Sequence, residues 1–117
     1  MDLVACLGAG KGTWGHVNKL ISDYEWKNIF LVTNEFGKEN FNSTKKAEFI
    51  VVDYSKGIRE LRDEIHEKLK DKVTDMEIGV NFISGIGREH MALISALLKI
   101  GCGIRLFAVT KSGTEEI

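Results

Sequence analysis

Two short stretches combine glycine, a cation and a hydroxyl in a pattern that suits an anionic ligand. Gly8-Ala9-Gly10-Lys11-Gly12-Thr13-Trp14-Gly15 carries four glycines with Lys11 and Thr13. Ser84-Gly85-Ile86-Gly87-Arg88-Glu89-His90 carries two glycines with Ser84 and Arg88. A glycine lets the backbone turn sharply and approach a ligand with no Cβ in the way. Where such a turn opens a helix, the free N–H groups and the partial positive charge of the helix start favour an anion. His16 and His90 lie close to these turns and are candidates for moving a proton. The third histidine, His66, falls on a charged helix face and reads as solvated. Either turn taken alone is equally well a plain tight turn; the recurrence of one composition in both raises the anion reading.

Both stretches follow strand-like apolar runs, and the first of these is unbroken, the mark of a strand covered on two faces. The first run is Leu3–Leu7, and the second turn follows a run over Ile78–Ile83. Further runs cover Ile29–Thr33, Phe49–Val52 and Ile104–Val109. Between them lie helical patterns. Val17, Leu20, Ile21 and Tyr24 recur at helical spacing after Trp14, and Ile58, Leu61, Ile65 and Leu69 form one stripe opposite a charged face. Ser55 is placed to cap that helix. A short helix is expected near Lys38–Phe41, within a polar stretch. The segment Arg88–Ile100 is apolar nearly all round and ends at Gly101, so it should be covered on two sides. Strand and helix alternate throughout. The expected fold is therefore α/β: a Rossmann-like three-layer α/β/α domain over residues 1–110, on a mostly parallel sheet of five or more strands, with 111–117 as a loose tail. Ligands of such sheets collect beyond the strand carboxyl ends, where both glycine turns fall.

The totals narrow the function further. With 117 residues the chain forms one domain, and its 44% apolar content suffices for a core without disulfides or metal. A formal net charge of −1 argues against a grip on long DNA or RNA, which calls for a basic excess. Cys6 and Cys102 sit in apolar surroundings without metal spacing, so neither metal nor cofactor is expected and both read as buried thiols of a reducing compartment. The first residues include Asp2 and no basic-then-apolar stretch, and the longest apolar run, Met91–Leu98, is too short to cross a bilayer. The expectation is a cytoplasmic protein with no membrane partner.

Three motif families compete for these turns. Gly8-Ala9-Gly10-Lys11-Gly12-Thr13 looks like the end of the phosphate loop of adenylate kinases, with Phe49–Asp53 as a Walker B-like strand. Gly10-x-Gly12-x-x-Gly15 also spells a dinucleotide fingerprint, with Glu35 where the ribose acid would stand. The third resemblance covers nearly the whole chain. An apolar strand ending near Asn81, then Ser84-Gly85-Ile86-Gly87-Arg88, then a helix rich in Met and Ala, is similar to the ligand-binding motif of CARF domains, the CRISPR-associated Rossmann-fold sensors. Ser84 matches that motif's first threonine, Gly85 its first glycine and Arg88 its lysine. Ile86 and Gly87 replace its second glycine and second threonine.

The CARF resemblance implies a homodimer binding a cyclic oligoadenylate across its two-fold axis in antiviral defence. Some members of that family are metal-independent ring nucleases. On this resemblance Lys11 and Arg88 are expected to bind phosphates and, if the ring is cut, to stabilise charge at the phosphorus. The amides of Gly10, Gly12, Gly85 and Gly87 would line the cradle, with Gly8, Ala9, Ile86, Glu89 and His90 around it. Thr13 and Ser84 would bond ribose or phosphate, and Trp14 would stack on an adenine. Another small nucleotide on a Rossmann domain, a P-loop-like phosphate binder and a ligand-free interaction domain remain alternatives.

Overall fold

Six strands and four α-helices follow one another in the computed structural model, which describes all residues from Met1 to Ile117. The strands are β1 (Asp2–Cys6), β2 (Ile29–Thr33), β3 (Glu48–Val51), β4 (Glu77–Asn81), β5 (Gly103–Thr110) and β6 (Gly113–Glu116). The helices are α1 (Trp14–Asp23), α2 (Glu35–Asn40), α3 (Ile58–Leu69) and α4 (Gly87–Ile100). One turn of 3-10 helix, Lys11–Thr13, leads into α1. The strands form a single sheet in the order β3-β2-β1-β4-β5-β6. All pairs are parallel except β5–β6. The strand order reverses direction between β1 and β4, and that is the switch point at which sheets of this kind leave a crevice.

Side-chain alternation divides the core into two layers. Val4 and Cys6 of β1 face the α3–α4 side, where Leu61, Ile65, Leu69, Leu93 and Leu97 close over them. Leu3, Ala5 and Leu7 face the α1 side with Val17, Leu20, Ile21 and Phe107. Burying each large aliphatic side chain contributes about 1.5–3 kcal/mol, and β1, buried on both faces along its whole length, is the seam of both layers. The result is the three-layer α/β/α arrangement anticipated from the alternation of runs.

Three local expectations are corrected. Residues 111–117 are not loose: Gly113–Glu116 returns along β5 as β6, through the turn at Lys111-Ser112. Thr110 shapes that turn, its Oγ1 accepting from the Ser112 amide (3.1 Å), and Arg105 Nε donates to both carboxylate oxygens of Glu116 (3.0 and 3.1 Å). An edge strand held by polar pairs carries no apolar alternation and so reads as tail. Ser55 does not cap α3. Its N–H and Oγ both donate to Asp53 Oδ1 (2.9 and 2.6 Å), and Gly57 takes the cap position instead. The short helix after β2 begins earlier than expected because Asn34 caps it, accepting from the Gly37 amide (3.1 Å). No helix is long and apolar enough to cross a membrane.

Candidate functional site

The two glycine turns stand side by side at the switch point. From the end of β1 the chain runs through Leu7 to Gly8, whose amide donates to Ser84 Oγ at 2.9 Å. The backbones touch so closely that a Cβ on Gly8 would lie 2.5 Å from the Gly85 Cα. Gly85 turns with φ +99°, a conformation that disfavours any other residue. A Cβ there would meet Glu89 Oε1, Cys6 Sγ and His90 Nε2 within about 3 Å. Strand order and two glycines together bring the loops into contact.

Beyond that contact the loops differ. Past Gly8 the first loop lifts away from the protein: Ala9, Gly10, Lys11 and Gly12 are all exposed. Added Cβ atoms at Gly10 and Gly12 would meet nothing within 4 Å. No side chain caps the 3-10 turn or α1, and α1 has no acidic residue in its first turn. These amides therefore face solvent beside the exposed Lys11, a combination that suits an anion. Lys11 Nζ lies 5.8 Å from the Trp14 ring centre and 5.5 Å from that of Phe36, and is engaged in no ion pair. Thr13 is half-buried and makes no capping bond.

The second loop is closed by its own side chains. Ser84 is fully enclosed, its hydroxyl holding Gly8 rather than facing a ligand. Glu89 Oε1 accepts from the Ile86 amide (3.2 Å), so a carboxyl group already occupies the start of α4. His90 Nε2 donates to the Ser84 carbonyl (2.7 Å), and its ring packs on Phe82. Arg88 reaches sideways: its guanidinium donates to the carbonyls of Lys56 (2.6 Å) and Tyr54, anchoring the turn between β3 and α3. Gly87 is exposed, as is Ile86.

Trp14 is the clearest departure from expectation. Only 8% of it is exposed; its Nε1 donates to the Gly8 carbonyl (3.1 Å) and its ring packs edge-on against Phe41. It braces the first loop from beneath and offers no face for a base. The aromatic ring that does face outward there is Phe36, 43% exposed.

Three residues outside the glycine turns prove to organise the edge. Tyr54 passes under the first loop, its hydroxyl donating to the carbonyls of Leu7 (2.9 Å) and Val32 (3.0 Å). Burial holds its phenol well above the ordinary tyrosine range and so keeps it a donor. Asn81 ends β4, with Nδ2 donating to the Phe107 carbonyl (2.8 Å) and Oδ1 accepting from the Ile83 amide (3.1 Å). His16 meets the same point: its Nε2 accepts from the Val109 amide (3.3 Å) and faces Asn81 Nδ2 (3.4 Å). Two donors on Nε2 place the ring proton on Nδ1, and burial lowers the His16 pKa. Burial likewise pushes the Cys6 thiol up to about 12, leaving it inert. Asn81 carries a sequence signal, a polar residue at the end of an apolar strand.

The arrangement is a rigid platform with one open rim. It can hold an anion on amides and Lys11, whereas both histidines have Nε2 committed within the fold. No three His, Cys, Asp or Glu side chains converge as a metal site would require. No family model matches the chain, and no curated protein matches it either.

Proposed function

We propose that this chain is a CARF-like sensor that binds a cyclic oligoadenylate, or a closely related small nucleotide, at the open rim of the first glycine loop. The observation that carries the reading is the Gly8–Ser84 contact, which fixes two glycine turns at the switch point while leaving Gly10–Gly12 and Lys11 free beside it. Preformed amide donors and one unpaired cation suit a phosphate, and a cyclic ligand with several phosphates gains from symmetry-doubled copies of such a rim.

A second copy of the chain is part of the proposal. α4 packs on the sheet and on α3, yet Met91 and Leu98, seven residues apart on one helix face, are 62% and 65% exposed. Ile83 and Ile86 of the second loop and Leu106 of β5 are also exposed. Two exposed apolar side chains on one helix face suit a partner, and a two-fold copy set against that face would double the rim. Burial of the α4 face also accounts for a helix apolar nearly all round.

Within this reading the sensor is favoured over the ring nuclease. Cleavage would pass the 2′-hydroxyl proton to the departing 5′-oxygen as the 2′-oxygen attacks phosphorus, leaving a 5′-hydroxyl and a 2′,3′-cyclic phosphate. Lys11 would stabilise charge in such a step, but the Nε2 atoms of His16 and His90 are bonded elsewhere and Arg88 is held by two carbonyls. Isothermal calorimetry with cyclic tetra- and hexaadenylate tests the binding, and sedimentation tests the dimer. Heat with either ring is expected, together with a dimeric mass and an intact ligand after prolonged incubation. No heat with both rings overturns the proposal.

A further inference from the structure

The cavity between the start of α2 and the turn after β3, with Phe36 on its wall, has the make-up of a nucleoside subsite. We propose that Phe36 is its base platform and Glu35 its ribose contact, completing the site whose phosphate the first loop holds; the inference rests on that phosphate reading.

Three observations carry it. Phe36 is 43% exposed, and one side of its ring is set against the buried Trp14, with centroids 6.1 Å apart at 48°. An aromatic ring braced on one side and still part-exposed loses little freedom when a base stacks on it. Lys11 Nζ stands 5.5 Å from the same ring, so the cation that would meet a phosphate and the surface that would meet a base are neighbours. From this point a cavity of about 510 Å³ extends along the carboxyl ends of β2 and β3, with Asn34, Glu35, Asp53, Tyr54 and Ser55 among its walls. That volume lies within the range of small-ligand sites.

The polar groups in this cavity are unequally committed. Asp53 Oδ1 is taken by the Ser55 amide and hydroxyl. Glu64 accepts from the Asp53 amide and pairs with Lys56 and Lys68. Glu35, directly beside Phe36 and exposed, pairs with no cation. A free carboxylate accepts the O–H of a sugar hydroxyl, which a deoxyribose lacks at its 2′ position. The cavity is therefore matched to a ribonucleotide in preference to its deoxy counterpart.

Calorimetry with three probes separates this inference from the one beneath it. The probes are cyclic tetraadenylate, its all-2′-deoxy analogue and tripolyphosphate, which has no nucleoside. Phe36→Ala is expected to weaken cyclic tetraadenylate about ten-fold or more and leave tripolyphosphate unchanged, and Phe36→Trp to restore binding with quenching of its fluorescence. Glu35→Gln is expected to narrow the preference for the ribose ring over the deoxy ring. Lys11→Ala is expected to weaken all three probes. If Phe36→Ala and Glu35→Gln bind all probes as the wild type does while Lys11→Ala does not, the nucleoside subsite is refuted and the phosphate site stands. If Lys11→Ala binds every probe as the wild type does, or the wild type binds none, the phosphate site falls and the subsite with it.

Discussion

The two glycine turns share a composition and lie in contact, yet they have been put to opposite uses. In the second, Ser84, Glu89, His90 and Arg88 all turn inward or sideways and bond the protein itself. In the first, Gly10, Lys11 and Gly12 stand in solvent, and Lys11 forms no ion pair. A loop whose polar side chains are all matched internally is a support, and one whose amides and cation are unmatched is open to a ligand. Glycine serves close packing in one case and open access in the other.

A single methyl group separates the two turns most directly. Gly85→Ala must accept φ +99° and place a Cβ 2.8 Å from Glu89 Oε1 and 2.9 Å from Cys6 Sγ. Strain and overpacking together predict a loss of about 3 kcal/mol in urea denaturation. Gly12→Ala meets nothing within 4 Å and needs no positive φ, so its effect should stay within about 0.5 kcal/mol. Equal losses at the two positions would show that the first loop is as tightly built as the second.

Tyr54→Phe comes next in size. Leu7 and Val32 are fully buried, and the Leu7 carbonyl loses the hydroxyl that donates to it. A buried carbonyl left without a donor costs about 1–3 kcal/mol, read as a lower urea midpoint at unchanged slope. A variant as stable as the wild type would mean that water replaces the hydroxyl and that the rim is less rigid than described.

Arg88 and Lys11 then divide the two roles between them. Arg88→Met releases the carbonyls of Tyr54 and Lys56 and should cost about 1 kcal/mol, because a loop near the surface regains water in exchange. It should leave the heat of cyclic tetraadenylate binding in place. Lys11→Met should do the reverse, with stability unchanged to within about 0.5 kcal/mol and the binding heat lost. A loss of binding in Arg88→Met without loss of stability would return Arg88 to the phosphate.

Most of the fold is legible from the apolar runs, since β1 and β2 are buried on both faces along their whole length and advertise it through runs of apolar residues. β6 is not legible, because Gly113–Glu116 is held by a turn and by polar pairs rather than by a buried face. At the strand ends, the glycine spacing marks the two turns that meet but cannot say which way a side chain points. Ser84, Arg88 and Trp14 have the chemistry of ligand contacts and spend it on Gly8, on the β3–α3 turn and on the loop's underside. Phe36 and Tyr54 escape notice for the opposite reason: isolated aromatics in polar stretches show no periodicity, and only the sheet order brings them to the rim.

The smallest expected effect probes the boundary between the loops. His16 ties α1 to the ends of β4 and β5, with Nε2 accepting from the Val109 amide. Burial lowers its pKa in the folded protein. Protonation is thus easier in the unfolded chain, where the value is about 6.5. The stability that neutral His16 contributes is complete above that pH and declines as pH falls toward the folded pKa, because protonated Nε2 can no longer accept. Hydrogen exchange, corrected for the intrinsic rate, should then show Gly10–Trp14 opening more readily from pH 7 to pH 5.5, with Gly85–Arg88 little changed. His16→Gln retains an acceptor without titrating and should remove the difference. Equal opening of both loops, or the same response in His16→Gln, would mean that the two turns move as one body and that their division of labour lies in exposed chemistry alone.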